Sequence, residues 1–276
     1  MITFTLPKQW RQLAWQNQKT LYNLITQSAW ETVNTFSQND KHLRGGAGAI
    51  TVLHTHTRRL DYHPHVHLVM PAGAINRTDK CWRSKTGKYL FDHKALAKVF
   101  RAKMFEGIKQ AGLEFPHLAP EKWVVDCKNV GAGDKALVYL GRYLYRGVVQ
   151  EKDILCCKDG LVRFRYRDSK TNKTAIRTVS GVEFLRLILQ HILPKGFRRA
   201  RNYGFLHPNS KRQIILLQLR FKIIPKRYQA RPRPAFNCTC CGGQMIILKT
   251  RIKTQRQASP HRDVTPEAKI NTGMSM

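Results

Sequence analysis

The segment HTHTRRLDYHPHVHLVM, residues 54–70, constrains the fold more than any other part of the chain. It holds five of the eleven histidines and ends in an apolar run, His65 to Met70, that stops at Pro71. Alternate residues of a strand share a face, so Val66, Leu68 and Met70 can enter a core while His65 and His67 project together from the other side. Such a strand needs a sheet that is covered on one face and chemically accessible on the other. Three His-x-His pairs overlap here: His54/His56, His63/His65 and His65/His67. Pro64 cannot sit easily in a central strand and Thr55 is an indifferent spacer, which favours His65/His67. Two imidazoles on one face can reach one cation, and a further protein ligand would complete a site that still binds phosphate and water. His54, on the expected neighbouring strand that follows the Gly45 to Gly48 turn, is the first candidate. The alternative is that these histidines only hydrogen-bond or add positive charge.

Charge indicates the partner. Among 276 residues, 49 Lys plus Arg stand against 17 Asp plus Glu, a formal charge of +32. That excess opposes compaction unless a polyanion neutralises it, which points to nucleic acid and away from an ordinary neutral metabolic enzyme. With 42% hydrophobic residues the chain still has the composition of a globular protein. No apolar run approaches the roughly 20 residues of a spanning helix, and Pro7, Lys8 and Arg11 interrupt the start before a signal-like stretch develops. No membrane partner is expected, and the chain reads as soluble and intracellular. Seven irregularly spaced cysteines predict reduced thiols in place of a disulfide framework.

A second informative segment is DKALVYLGRYLYRGVV, residues 134–149, which reads as a helix with Asp134 as its N-cap. Counting about 100° per residue from Tyr139, Tyr143 falls at about 40°, and Lys135, Arg142 and Arg146 fall within about 60° of Tyr139. Leu137, Leu140 and Leu144 cluster at about 100 to 160° and are expected to be the buried side. The two tyrosines therefore share a face with cations. Guanidinium and ammonium groups favour phenolate and also hold a phosphodiester, so Tyr139 and Tyr143 are candidate nucleophiles, with packing as the alternative. Tyr145 points elsewhere and reads as packing. Together the two segments offer a cation to polarise a scissile phosphate and a tyrosine to attack it. The sequence contains no Walker phosphate loop and no dinucleotide fingerprint.

The remaining segments fill in an α+β fold with one mostly antiparallel sheet and helices on one face. Lys8 to Phe36 and Lys94 to Gln110 have helical periodicity, and Trp123 to Cys127 is extended. Val162 to Arg167 and Ala175 to Val179 read as a hairpin in which Arg163, Arg165 and Arg167 share a face suited to phosphate. Ser180 and Glu183 form a capping-box signature for a helix through about Leu193. From Phe184 to Arg262 there are eighteen Lys or Arg and no Asp or Glu. Within it, Lys195, Arg198, Arg199 and Arg201 mix with Phe197, Tyr203 and Phe205, ingredients for single-stranded DNA. Cys238 and Cys241 form a CxxC, half of a Zn²⁺ knuckle whose other two ligands are not evident. The expected organisation is a helical segment over 1–45, a core over 46–194, a basic region over 195–254 and a disordered tail over 255–276.

Taken in order, FTLP, VLHTHTRRLDYHPHVHLVMPAG, KALVYLGRYLYRGVV, FRYRDSKTNKTAIRTVSGVEFLRLILQHILPKGFRRARNYGFL and CTCCGG span most of residues 2–243. This set resembles the transposases of rolling-circle insertion sequences, specifically insertion-sequence family ninety-one, within the HUH endonucleases. The resemblance implies an HUH endonuclease-like sheet, His65 and His67 as metal ligands, Tyr139 and Tyr143 as paired nucleophiles, and Mg²⁺ or Mn²⁺ as the metal. It further implies single-strand DNA cleavage that leaves a 5′-phosphotyrosine, strand transfer to target DNA, and work at the bacterial nucleoid, in the cytoplasm. Family members usually carry a cysteine-rich zinc-binding segment ahead of FTLP, so the resemblance leads to the expectation of a shortened copy. Replication initiators and relaxases share the chemistry, and a non-catalytic basic DNA-binding protein would also fit the charge. A transposase with three carboxylates around two metals fits poorly, because acids are scarce.

Overall fold

Period-two alternation builds the central sheet: Ile2 and Phe4 are fully buried, while Thr3 and Thr5 face the other way. The computed structural model describes residues 1–76, 78–79, 81–87, 90–115, 120–145, 148–168, 171–225 and 236–245, apart from the side chains of Tyr139, Arg142, Tyr143, Tyr145, Phe236 and Gln244. Its strands are β1 (Ile2–Thr5), β2 (Gly48–His56), β3 (Tyr62–Val69), β4 (Gly73–Asn76), β5 (Cys81–Ser84), β6 (Val125–Cys127), β7 (Ile154–Lys158), β8 (Leu161–Arg167), β9 (Thr174–Ser180), β10 (Ala200–Gly204), β11 (Phe236–Asn237) and β12 (Gln244–Met245). Its helices are α1 (Arg11–Gln16), α2 (Gln18–Asn39), α3 (His93–Gln110), α4 (Asp134–Tyr145), α5 (Gly181–Leu189) and α6 (Lys211–Arg220). The residues divide into two units, Met1–Pro225 and Lys226–Met276.

In the first unit five strands run in the order β10-β2-β3-β1-β6, antiparallel at every pairing. One face is closed by α2 and α3. Ile2, Phe4, Leu53, Val66 and Leu68 meet Leu21, Ile25, Ala29 and Val33 of α2 and Leu96, Phe100 and Met104 of α3 in one continuous core. Phe4 and Phe100 stand 4.8 Å apart, ring centre to ring centre. Each of these large side chains contributes about 1.5–3 kcal/mol by leaving water, so this face alone gives the sheet a defined register. Gly107 lets α2 and α3 approach closely: a Cβ there would lie 2.0 Å from Cδ1 of Leu24. The α+β, antiparallel architecture expected from the sequence is therefore present. An additional feature is α4, which packs on the opposite face of the sheet.

Three local expectations change. The helix expected from Lys8 to Phe36 is broken at Asn17, whose backbone (φ −126°, ψ 45°) leaves the helical region. Asn17 closes α1 by donating both its amide and its Nδ2 to the Leu13 carbonyl, and its own carbonyl accepts the Leu21 amide that opens α2. Pro64, expected to avoid a central strand, lies inside β3, between β2 and β1. It is tolerated because the β2–β3 register shifts there. His54 opposes His65 but His56 opposes Tyr62, so two residues of β3, His63 and Pro64, face Thr55 alone. The Pro64 carbonyl accepts from Leu6 at 3.1 Å, just past the end of β1, so the edge lacking a donor faces a strand that has already stopped. The capping box at α5 is half made: Ser180 Oγ accepts from the Glu183 amide at 3.2 Å, while the Glu183 carboxylate pairs with Arg186 at 2.7 Å. This helix ends at Leu189, short of Leu193.

A second antiparallel sheet, β7-β8-β9, buries Val162 and Phe164 against Phe184 and Leu187 of α5 and against Leu60. The connection between β2 and β3 is tied to this layer. Leu60 adopts a left-handed φ of 72°, and its carbonyl accepts from Gln190 Nε2 at 2.8 Å and from His191 Nε2 at 3.0 Å. Arg177 of β9 pairs with Asp61 at 2.9 Å. In the second unit the described residues form the β11-β12 hairpin, and the tail 255–276 lies outside the described residues. No described helix is long and apolar enough to cross a membrane.

Candidate metal centre

Directly opposed residues of an antiparallel pair share a face. The registers Val52↔His67, His54↔His65, Ile50↔Val69 and Thr3↔His67 therefore place His54, His65, His67, Val52, Val69 and Thr3 on the face away from α2 and α3. There His54, His65 and His67 bring one ligand nitrogen each to within 4.8 Å of one another. Their ring centres are 4.4 to 5.1 Å apart. Among the described residues this is the group of three or more His, Cys, Asp or Glu able to hold one cation. The strand reading of His65 and His67, and the selection of His54 from β2, thus converge on one cluster.

The rings are held by their other nitrogens. His65 Nδ1 donates to the His63 carbonyl at 2.7 Å, which fixes the tautomer that leaves Nε2 as a lone-pair donor. His67 Nδ1 lies 3.0 Å from Thr3 Oγ1. Thr3 is an orienting residue the sequence reading passed over, although the ITFT alternation of β1 was visible. His54 and His67 are buried. Burial first, and then repulsion from neighbouring histidines, lowers the His67 pKa to about 3 and the His56 pKa to about 3; burial and His65 bring His63 to about 4. His54 and His65 are lowered as well, with burial the largest cause. All stay neutral at pH 7, the form that binds a metal.

A pH dependence follows from these shifts. Each depressed histidine is protonated in the unfolded chain near pH 6.5 but resists protonation in the folded one, so the unfolded state binds more protons as pH falls. This contribution to stability is complete above about pH 6.5 and is lost as pH falls toward the folded values, at up to about 1.4 kcal/mol per unit for each histidine. Thermal melts of the metal-free protein should show a Tm that drops steadily from pH 7 to pH 5; a flat profile would contradict neutral, buried imidazoles.

The helix α4 reaches the same face. Ala136 and Leu140 are buried in a cluster with Val52 and Val69, the strand neighbours of the histidines. This corrects the expected stripe: Leu137 and Leu144 are 44% and 39% exposed, and the buried pair is Ala136/Leu140. The sheet offers a narrow contact, so a small residue and one leucine at i and i+4 are enough. The backbone of Tyr139, Arg142 and Tyr143 belongs to α4, but their side chains lie outside the described residues, as does all of Arg146. Lys135 is exposed. Tyr22 and Tyr62 are unsuited to attack, since their hydroxyls bond to each other at 2.7 Å and burial raises both pKa values, that of Tyr22 to about 12.

The basic residues separate into two kinds. Arg163, Arg165 and Arg167 share the exposed face of β8 as expected, although Arg165 pairs with Asp153 at 3.0 Å and Arg167 donates to the Asn172 carbonyl. Lys195 and Arg198 are exposed. Arg201 is half-buried, bonded to Asn23 and to the Arg198 carbonyl and lying over the Phe197 ring at 4.9 Å. Arg199 is half-buried beside β2, and its charge bears on His54 and His56. In the second unit, the Cys238 amide donates to the Gly243 carbonyl, and hydrogen bonds from the amides of Cys241 and Cys240 lower the Cys238 pKa. Among the described residues, Cys238 and Cys241 gather no third metal ligand.

Comparison with known proteins now assigns the chain. A family model described as "Y2_Tnp: Putative transposase" matches residues 48–213, which include β2, β3, α4 and α5. "Putative transposase y4qJ" of Sinorhizobium fredii (strain NBRC 101917 / NGR234) is 32% identical over 90% of this chain and 72% of its own length. "Transposase for insertion sequence element IS801" of Pseudomonas savastanoi pv. phaseolicola is 27% identical over 89% of this chain and 66% of its own length. Among solved structures, "Conjugative Relaxase TrwC in complex with mutant OriT Dna" is 14% identical with a TM-score of 0.34, over 81% of this chain and 73% of that one. The matched span covers more than half of the chain and holds both informative segments, so the protein belongs to this family of insertion-sequence transposases.

Proposed function

We propose that the protein cleaves and rejoins single-stranded DNA through a tyrosine nucleophile beside a divalent cation held by His54, His65 and His67, as the chemistry of rolling-circle transposition. The observation that carries this reading is that α4 packs Ala136 and Leu140 onto Val52 and Val69, on the sheet face that bears the three histidines. On the helix wheel, position 143 lies about 20° from position 136, and position 139 about 40° further round. Both tyrosine positions thus border the stripe that meets the histidine face.

The donor set fits a cation: three neutral imidazoles, with His65 and His67 oriented by the His63 carbonyl and Thr3, leave open positions for phosphate oxygen and water. Nitrogen donors suit Mn²⁺ better than Mg²⁺. When bound, the cation would act as a Lewis acid on a non-bridging phosphate oxygen. The chain supplies the rest. A tyrosine of α4 loses its proton and its oxygen attacks phosphorus in line; the P–O3′ bond breaks, and the departing 3′ oxygen takes up a proton. The 5′ phosphate stays on the tyrosine as an ester, and a 3′ hydroxyl from another strand reverses the step, so no nucleotide cofactor is consumed. Lys135 and Arg142 on α4, with Arg163, Arg165 and Arg167 on β8, would hold the strand by its phosphates.

The test is incubation of the full chain with single-stranded oligonucleotides, with and without Mn²⁺, followed by a denaturing gel. The expected result is a protein–DNA adduct that requires the metal and forms more with Mn²⁺ than with Mg²⁺. DNA binding with no adduct under any metal would favour a non-catalytic DNA-binding protein, for which the charge suffices.

A further inference from the structure

A groove of about 760 Å³ opens between α1 and α5. Its walls include Arg11 and Trp15 from α1, Tyr62 from β3, and Leu185, Arg186 and Leu189 from α5. The inner side of α5, Phe184 and Leu187, already fills the core of the small sheet. Its outer side is left facing the groove, with Leu185 58% and Leu189 56% exposed opposite Trp15 at 47%. Trp15 is fixed edge-to-face on Tyr62 at 5.5 Å. The lining contains two guanidiniums and no carboxylate.

The groove adjoins the histidine cluster. Arg11 Nη2 meets His63 Nδ1, and the His63 carbonyl receives the Nδ1 hydrogen of His65. One histidine therefore separates the groove wall from the metal centre. Arg186 is engaged by Glu183, whereas Arg11 makes no ion pair among the described residues.

We infer that this groove seats an unpaired base of single-stranded DNA, with Trp15 as the stacking surface and Arg11 on the phosphate that links this base to the strand at the histidines. The inference rests on the single-strand reading above and assigns a nucleotide position to it. A nucleotide matches both parts of the groove, because it pairs a flat apolar ring with a negative charge. A second copy of this chain would bring more of the +32 charge toward Arg11 and Arg186. The alternation of an aromatic platform with a guanidinium, over a short distance, is the arrangement that holds single strands without reading sequence.

The test compares a twelve-residue oligothymidylate with an abasic deoxyribose-phosphate chain of the same length, by fluorescence anisotropy on the full-length protein. Trp15→Ala should weaken binding of the oligothymidylate about tenfold, and of the abasic chain by less than about twofold, the loss expected for one stacked base. Trp15→Phe should restore most of the discrimination. Arg11→Ala should weaken both chains and make binding less salt-dependent. If Trp15→Ala proves unfolded by circular dichroism, Leu189→Ala, on the opposite wall, should show the same base-selective loss at smaller size. In Trp15→Ala, equal weakening of both chains, or of neither, overturns the inference, as does a change in sedimentation from dimer to monomer with both affinities intact. Adduct formation is scored separately on the same wild-type sample. An adduct with no base selectivity at Trp15 rejects the groove alone; no adduct with base selectivity intact rejects the nuclease reading alone.

Discussion

Replacing His65 or His67 with alanine is expected to lower the rate of Mn²⁺-dependent adduct formation by about two to three orders of magnitude, while oligonucleotide affinity in the absence of metal stays within about twofold. The large effect follows from the arrangement of the ligands. Each ring contributes one of three nitrogens lying within 4.8 Å, so two nitrogens remain after the substitution and the cation is held weakly and in the wrong place. The small effect on DNA binding follows because these imidazoles are neutral and contribute no charge to phosphate binding. His54→Ala should behave in the same way, which makes it the sharper experiment: this residue comes from a different strand and was selected by its position alone. Single-turnover adduct formation, with Mn²⁺ affinity measured by calorimetry, gives both quantities. Full activity in His54→Ala would reduce the centre to a pair and require a ligand from elsewhere.

The second large effect is expected from Tyr139→Phe, which should reduce the adduct about a hundredfold or more with DNA binding retained. Phenylalanine keeps the ring and removes only the oxygen that would attack, so a folding defect is not expected on a helix held to the sheet by Ala136 and Leu140. Tyr143→Phe reports on the other candidate, and the double variant should leave no adduct. An unchanged adduct in Tyr139→Phe would move the first attack to Tyr143. An unchanged adduct in the double variant would remove α4 from the chemistry altogether.

The histidine face was legible because a strand has a period of two: once Val66 and Leu68 are assigned to the core, His65 and His67 must lie opposite. The pairing of β2 with β3 then brought in His54, since directly opposed residues share a face. The arginine alternation of β8 was legible for the same reason. Helix faces were less so. The leucines of α4 suggested a buried stripe through Leu137 and Leu144, but the narrow contact with Val52 and Val69 selected Ala136 and Leu140. What periodicity could not supply were contacts between residues far apart in sequence: Thr3 on His67, Arg11 on His63, and the Leu60 carbonyl held by Gln190 and His191. Nor did charge alone distinguish Arg201, engaged within the fold, from Lys195 and Arg198, which face water.

The extra residue at His63 and Pro64 bears on how the hairpin can change over evolution. Beyond this point the phase of β3 is locked twice, by His54 on one side and Thr5 on the other. Before it, the pairing starts afresh at Tyr62. A substitution in the hairpin tip, which Leu60 and Asp61 pin to the second layer, is therefore felt in that layer and does not rotate the three imidazoles out of alignment.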